Sequence, residues 1–130
     1  MSTVNSDNHL IAKKYISEYE EKNLEGNFSP NSISIDEYLV DLIETDPERV
    51  LEIIELIVNS TSNKKLIFFL AAGPFENLLE QKGNLIFDDI ENKIRKNPKL
   101  RVALGGVWIN KENHEKVWSL IQKYKISETE

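Results

Sequence analysis

Apolar positions recur along this chain in rows of three- and four-residue spacing, the period of one helical face. Leu10, Ile11, Tyr15 and Tyr19, flanked by Ile16, predict a first helix that starts near Ser6 or Asp7 and stops at Gly26. Asn27-Phe-Ser-Pro-Asn31 follows as a turn-rich connector. Ile35, Tyr38, Leu39, Leu42 and Ile43 predict a second helix. Its start has a capping box, with Ser34 at the N-cap and Glu37 three residues on, and a hydrophobic staple of Ile33 on Tyr38. Asp46-Pro47 opens a third helix, the acid as cap and the proline in the first turn, where its missing N–H costs nothing. Val50, Leu51, Ile54, Ile57 and Val58 form its stripe, widened by Ile53 and Leu56. Asn59 to Asn63 is a polar linker.

The stretch from Lys65 to Leu79 is where an unbroken apolar run meets a Gly-Pro break. Leu66 to Ala72 has a single β-branched residue and ends in two alanines, which favours helix over strand. Gly73 is expected as a left-handed C-cap, and Pro74 as the first residue of a new helix. Glu76 then lies in the first turn, and Phe75, Leu78 and Leu79 turn the new helix onto the core, until Gly83-Asn84 closes it. An apolar hairpin of this kind is expected at the centre of the domain.

Ile86, Ile90 and Ile94, beside Phe87, predict a further helix that ends in Lys93, Arg95 and Lys96, charges suited to a helix C-terminus. Asn97-Pro98 repeats the cap-plus-proline start, and Leu100, Ala103 and Leu104 lead into Gly105-Gly106-Val107-Trp108. A last helix is expected to start between Asn110 and Asn113, with Val117, Trp118, Ile121 and Tyr124 on its face. Residues 1–6 and 126–130 are expected as flexible tails. The reading is an all-α fold, seven or eight short helices in stacked antiparallel hairpins, one domain over residues 1–130.

Composition narrows the chemistry. The 130 residues include no cysteine, which removes disulfides, thiolate metal sites and a cysteine nucleophile. The N-terminus lacks the basic and apolar regions of a signal peptide, and no apolar run approaches the ~20 residues of a membrane span. A cytoplasmic protein without membrane association is expected. The net charge of −6 is uneven. Residues 1–60 hold 13 acids against 4 bases, while residues 61–130 hold 9 acids against 12 bases. Phosphates are repelled by the first half, so nucleic acid is an unfavourable partner. An acidic face of Asp36, Glu37, Asp41 and Glu44, pointing away from the core, would instead steer a basic protein partner.

Catalytic and cofactor signals are weak. Gly105-Gly106 lacks any nucleotide-binding spacing, no serine lies in a nucleophile elbow, and His9 and His114 lack further ligands at metal spacing. No metal or cofactor is expected. The Ala-Ala-Gly-Pro corner reads as a tight helix junction, and Trp108 and Trp118 as core fillers beside the glycines, with Trp108 as a partner-contacting anchor the alternative. Lys93, Arg95, Lys96, Lys99 and Arg101 read as intramolecular charge balance.

Leu70-Ala-Ala-Gly-Pro-Phe-Glu-Asn-Leu-Leu79 and Ala103-Leu-Gly-Gly-Val-Trp108 resemble the paired motifs of an uncharacterised bacterial helical family, over about residues 45–120. Phe75 and Asn77 stand where that family has a leucine and an acidic residue. The resemblance implies a bacterial all-α domain and carries no activity. The expected function is a non-enzymatic interaction module, in its sharpest form a small inhibitor or immunity protein that covers a basic site. The alternative is a ligand-binding or enzymatic pocket at Gly73, Pro74, Gly105 and Gly106, with Glu76 as acid or base and Trp108 as its wall. No pattern in the chain indicates an oligomeric state.

Overall fold

The computed structural model describes residues 3–25 and 34–125, with side chains from 7–21 and 35–125. The connector Asn27–Asn31, the Ile33 staple, the Ser34 side chain and the 126–130 tail lie outside the described residues. The elements are α1 (Thr3–Glu25), α2 (Ser34–Thr45), α3 (Pro47–Ser60), α4 (Lys64–Leu70), a π turn (Ala71–Phe75), α5 (Glu76–Lys82), α6 (Phe87–Lys96), α7 (Pro98–Leu104) and α8 (Glu115–Tyr124). The fold is all-α, with no strand among the described residues. Two starts follow the sequence closely. The Asp46 carboxylate accepts the Arg49 N–H at 3.3 Å, and the Asn97 side chain accepts the Lys99 N–H at 3.0 Å. Helix α1 begins at Thr3, ahead of the predicted start.

The organising helix is α3 rather than the Lys65–Leu79 stretch. Val50, Leu51, Ile53, Ile54, Ile57 and Val58 are all buried, more than one stripe of a helix can supply to a single neighbour. Accordingly α3 packs against α1, α2, α4, the π turn, α5 and α7. Each fully buried isoleucine or leucine contributes about 1.5–3 kcal/mol relative to exposure.

Around Pro74 the chain does not break. The residues bounding the π turn, Leu70, Ala71, Phe75 and Glu76, all keep right-handed helical angles, and Gly73 has no positive φ. The expected left-handed cap is therefore absent, and α4, the π turn and α5 run on as one helix. Proline lacks an N–H and its ring crowds the carbonyl four residues back. Widening the helix by one residue per turn relieves both problems locally. The Glu76 N–H then reaches back five residues to the Ala71 carbonyl. Asn77 adds a side-chain bond to the Gly73 carbonyl at 3.0 Å. With α4 to α5 counted as one rod, seven helices are present among the described residues.

Two further expectations are corrected. In α1 the inward row is Asn8, Ala12, Tyr15 and Tyr19, and Leu10 is 65 % exposed. Asn8, 1 % exposed, is satisfied from α3: it donates to Glu52 at 3.2 Å and accepts from Arg49 Nε at 2.8 Å. At the C-terminal end, the Asn110 side chain accepts the Glu112 N–H at 2.8 Å, and its carbonyl accepts the His114 N–H at 3.1 Å. That turn consumes residues 110–114, so α8 starts at Glu115, later than predicted. Its buried face is Val117, Leu120 and Ile121, with Trp118 and Tyr124 only partly covered.

The two glycine motifs meet. A Cβ on Gly106 would lie 2.8 Å from Phe68 Cδ1 and 3.1 Å from Ala71 Cβ. Neither neighbour yields easily, since one is a ring and the other is anchored to helical backbone. A Cβ on Gly73 would meet only Asp36 Oδ1, at 4.0 Å. Chemical denaturation of two variants separates the two cases. Gly106→Ala should lower stability by about 1–3 kcal/mol through overpacking. Gly73→Ala should be neutral or stabilising by up to about 1 kcal/mol, because alanine is the better helix former.

Candidate functional site

The predicted acidic face divides on folding. Glu37, Asp41 and Glu44 project from α2 into solvent at spacings that place them on one side of the helix. Tyr38 lies beside them, 42 % exposed rather than held in the core. Glu44 has only a loose contact with Lys82, 3.8 Å away. Past the corner, Asp46, Glu48 and Glu52 extend the exposed acids along α3. Glu48 is held above the usual carboxylate range, chiefly by a hydrogen bond and charge from Asp89 on α6, with Asp46 and Glu52 adding to it. Two neighbouring carboxylates raise each other's affinity for a proton.

Asp36 does not point away from the core. It is half-buried against Tyr15, with its Oδ1 toward Gly73 in the π turn. Burial is the main cause that pushes its carboxyl up from 3.8 to about 6; Tyr15 opposes the shift and Glu18 adds to it. Burial, then the neighbouring Asp36, drives the Tyr15 hydroxyl far above its ordinary range, so it stays protonated. The two groups interact, yet neither the hydroxyl nor Oδ1 has a hydrogen-bond partner of good geometry among the described residues. Glu18 is engaged nearby, its Oε1 accepting the Ile35 N–H at 3.3 Å in the first turn of α2. No sequence pattern marks this cluster, because its members come from three separate elements.

The second predicted set, Gly73, Pro74, Glu76, Gly105, Gly106 and Trp108, does not form one pocket. Pro74 is buried, and Gly106 is filled by Phe68 and Ala71. Glu76 Oε1 accepts the backbone N–H of Trp108 at 2.7 Å, so it anchors the turn. The indole of Trp108 points outward and is 84 % exposed, a correction to its expected place in the core. Gly105 and Trp108 line a groove of about 390 Å³ against α8, and Gly73, Pro74 and Glu76 are not among its lining residues. Another hollow, of about 780 Å³, lies along α1 between His9, Lys13, Glu20 and Ser60. Among the described residues, no three His, Asp or Glu side chains converge as metal ligands would.

Much of the basic cluster is used internally. Lys93 pairs with Glu55 at 2.9 Å, and Arg101 donates to the carbonyls of Ile94 and Arg95 at 3.0 and 2.8 Å, capping α6. Asn97 bridges Glu55 and Asn59 at 3.2 and 2.9 Å.

An all-α chain with an acidic flank, and with its two glycine motifs packed together, is the class that the geometry defines. The chain belongs to the family described as a family of unknown function (DUF6869), which it matches over residues 21–129. No curated protein and no solved structure matches it. No helix among the described residues is long and apolar enough to cross a membrane.

The raised Asp36 carboxyl fixes the sign of a pH effect. Between about pH 4 and 6 the unfolded chain releases this proton while the folded chain keeps it, so stability falls as pH rises. Urea unfolding as a function of pH should show that decline in the wild type. Asp36→Asn should remove it and raise stability at pH 7 by on the order of 1 kcal/mol, a figure reduced for the partial exposure of the group. An unchanged pH profile in the variant would contradict the assignment.

Proposed function

We propose that this chain is a non-enzymatic protein-interaction module that binds a basic partner through the exposed carboxylates of α2 and the α2–α3 corner. One observation carries the reading. Glu37, Asp41 and Glu44 share a solvent-facing side, and the acids beyond them are crowded enough for Asp89 to raise Glu48. Like charges gathered on an exposed face attract a cation-bearing partner. Tyr38, half exposed among these acids, supplies an aromatic contact of the type that anchors interfaces. The sharpest form of the proposal is a small bacterial, cytoplasmic inhibitor or immunity protein, folded as one domain, that covers the basic site of its target. Asp36 is not part of the contact, because it is turned toward Tyr15.

The alternative, a ligand-binding or enzymatic pocket across the glycine corners, has less support. Gly106 is packed against Phe68 and Ala71, and Glu76 is committed to the Trp108 N–H.

The test is affinity capture from host lysate on wild-type protein and on a Glu37→Lys/Asp41→Lys/Glu44→Lys variant, read by mass spectrometry. A basic protein retained by wild type and lost by the variant is expected. Its purified complex should weaken at least about tenfold on charge reversal and weaken further with added salt. Equal retention by both proteins would overturn the proposal.

A further inference from the structure

Trp108 is an anomaly that the acidic face does not explain. An indole is costly to leave in water, and single exposed apolar residues are usually mobile or incidental. Here the backbone that carries it is held on both sides. The Trp108 N–H donates to Glu76 at 2.7 Å, and the Val107 N–H donates to the Leu104 carbonyl at 3.1 Å. Val107 and Ile109, flanking it, are buried, and Gly106 is wedged into α4 and the π turn. The ring is thus presented from a fixed base, which lowers the ordering cost that a partner would otherwise meet.

Beside it runs the groove of about 390 Å³ between the end of α7 and α8. Its exposed lining is more polar than apolar, with Val107, Ile109 and Trp118 on the apolar part and Gln122 and Lys125 on the polar part. No carboxylate is among its described lining residues. Lys111 adds a second cation, its ammonium 4.8 Å from the Trp118 ring centroid. The sign is opposite to that of α2, and it matches the excess of bases in residues 61–130.

We propose that the Trp108–Trp118 groove is a second docking site, and that its occupant is an acidic segment of another protein that presents a large apolar side chain next to a carboxylate. The apolar side chain sits against the two indoles, and the carboxylate meets Lys125 and Lys111. Trp108 is the anchor, and Glu76 is the residue that positions it. This site stands independently of the acidic face, since it recognises the opposite charge from the other half of the chain.

Random peptides displayed on phage, selected on wild-type protein and counter-selected on Trp108→Ala, test the proposal. Enriched sequences should place Asp or Glu beside Leu, Phe or Trp. A synthesised winner should shift the tryptophan emission of the wild type saturably. It should bind about tenfold more weakly to Trp108→Ala and to Lys125→Glu, both unchanged in denaturation midpoint because the altered side chains are exposed. Enrichment of basic sequences, or no enrichment over Trp108→Ala, would overturn it. So would self-association in sedimentation that Trp108→Ala abolishes, since the groove would then belong to a second copy of this chain.

Discussion

One end of the molecule depends on a single close approach, that of Gly106 onto Ala71 and Phe68. Only a residue without a Cβ fits there, and only a small residue at position 71 leaves room for it. The approach sets where the chain leaves α7, and so where the Trp108 N–H falls relative to Glu76. Glu76 is within reach because the helix does not stop at Pro74 but widens and continues. The proline, the π turn, the two small residues and the anchored turn are therefore one construction. Its outcome is an indole held in solvent on a backbone that Glu76 anchors.

The rest of the fold hangs on α3. Its buried residues on several sides require neighbours all round, and the helices before and after it supply them. Polar groups are matched at two of these seams. Asn8 is buried at the α1 seam but satisfied by Arg49 and Glu52, so its desolvation is offset. Glu55 gathers Lys93 and Asn97 at the seam with α6 and α7. Buried Tyr15 and half-buried Asp36, between α1 and α2, are the exception, since the Tyr15 hydroxyl and Asp36 Oδ1 are incompletely matched beside the π turn.

Features governed by neighbours in sequence were legible before folding. The Asp46 and Asn97 caps depend on residues two or three positions away, and the Ile86, Ile90, Ile94 row on helical period alone; all are present in the structure. Features set across elements were not. A Gly-Pro pair ordinarily ends a helix, and nothing local says that packing against α2 and α3 will carry the chain through. The polarity of Asn8 argues against burial, while the partners that satisfy it lie on α3. The charge of Asp36 argues for an outward place, though Tyr15 and the π turn draw it in. The size of Trp108 argues for the core, and the bond that holds its backbone at the surface spans 32 residues.

Two surfaces of opposite sign thus remain after the core is built, one acidic on α2 and α3, the other aromatic and basic at the end of α7. The claim most open to direct check is that Trp108 is fixed in its backbone yet free in its ring. Residue-resolved hydrogen exchange by NMR reads both protons of this residue. Slow exchange at the Trp108 amide together with fast exchange at its indole N–H is expected. Fast exchange at both would mean the Glu76 bond does not hold the turn, and slow exchange at both would mean the indole is covered by the protein itself.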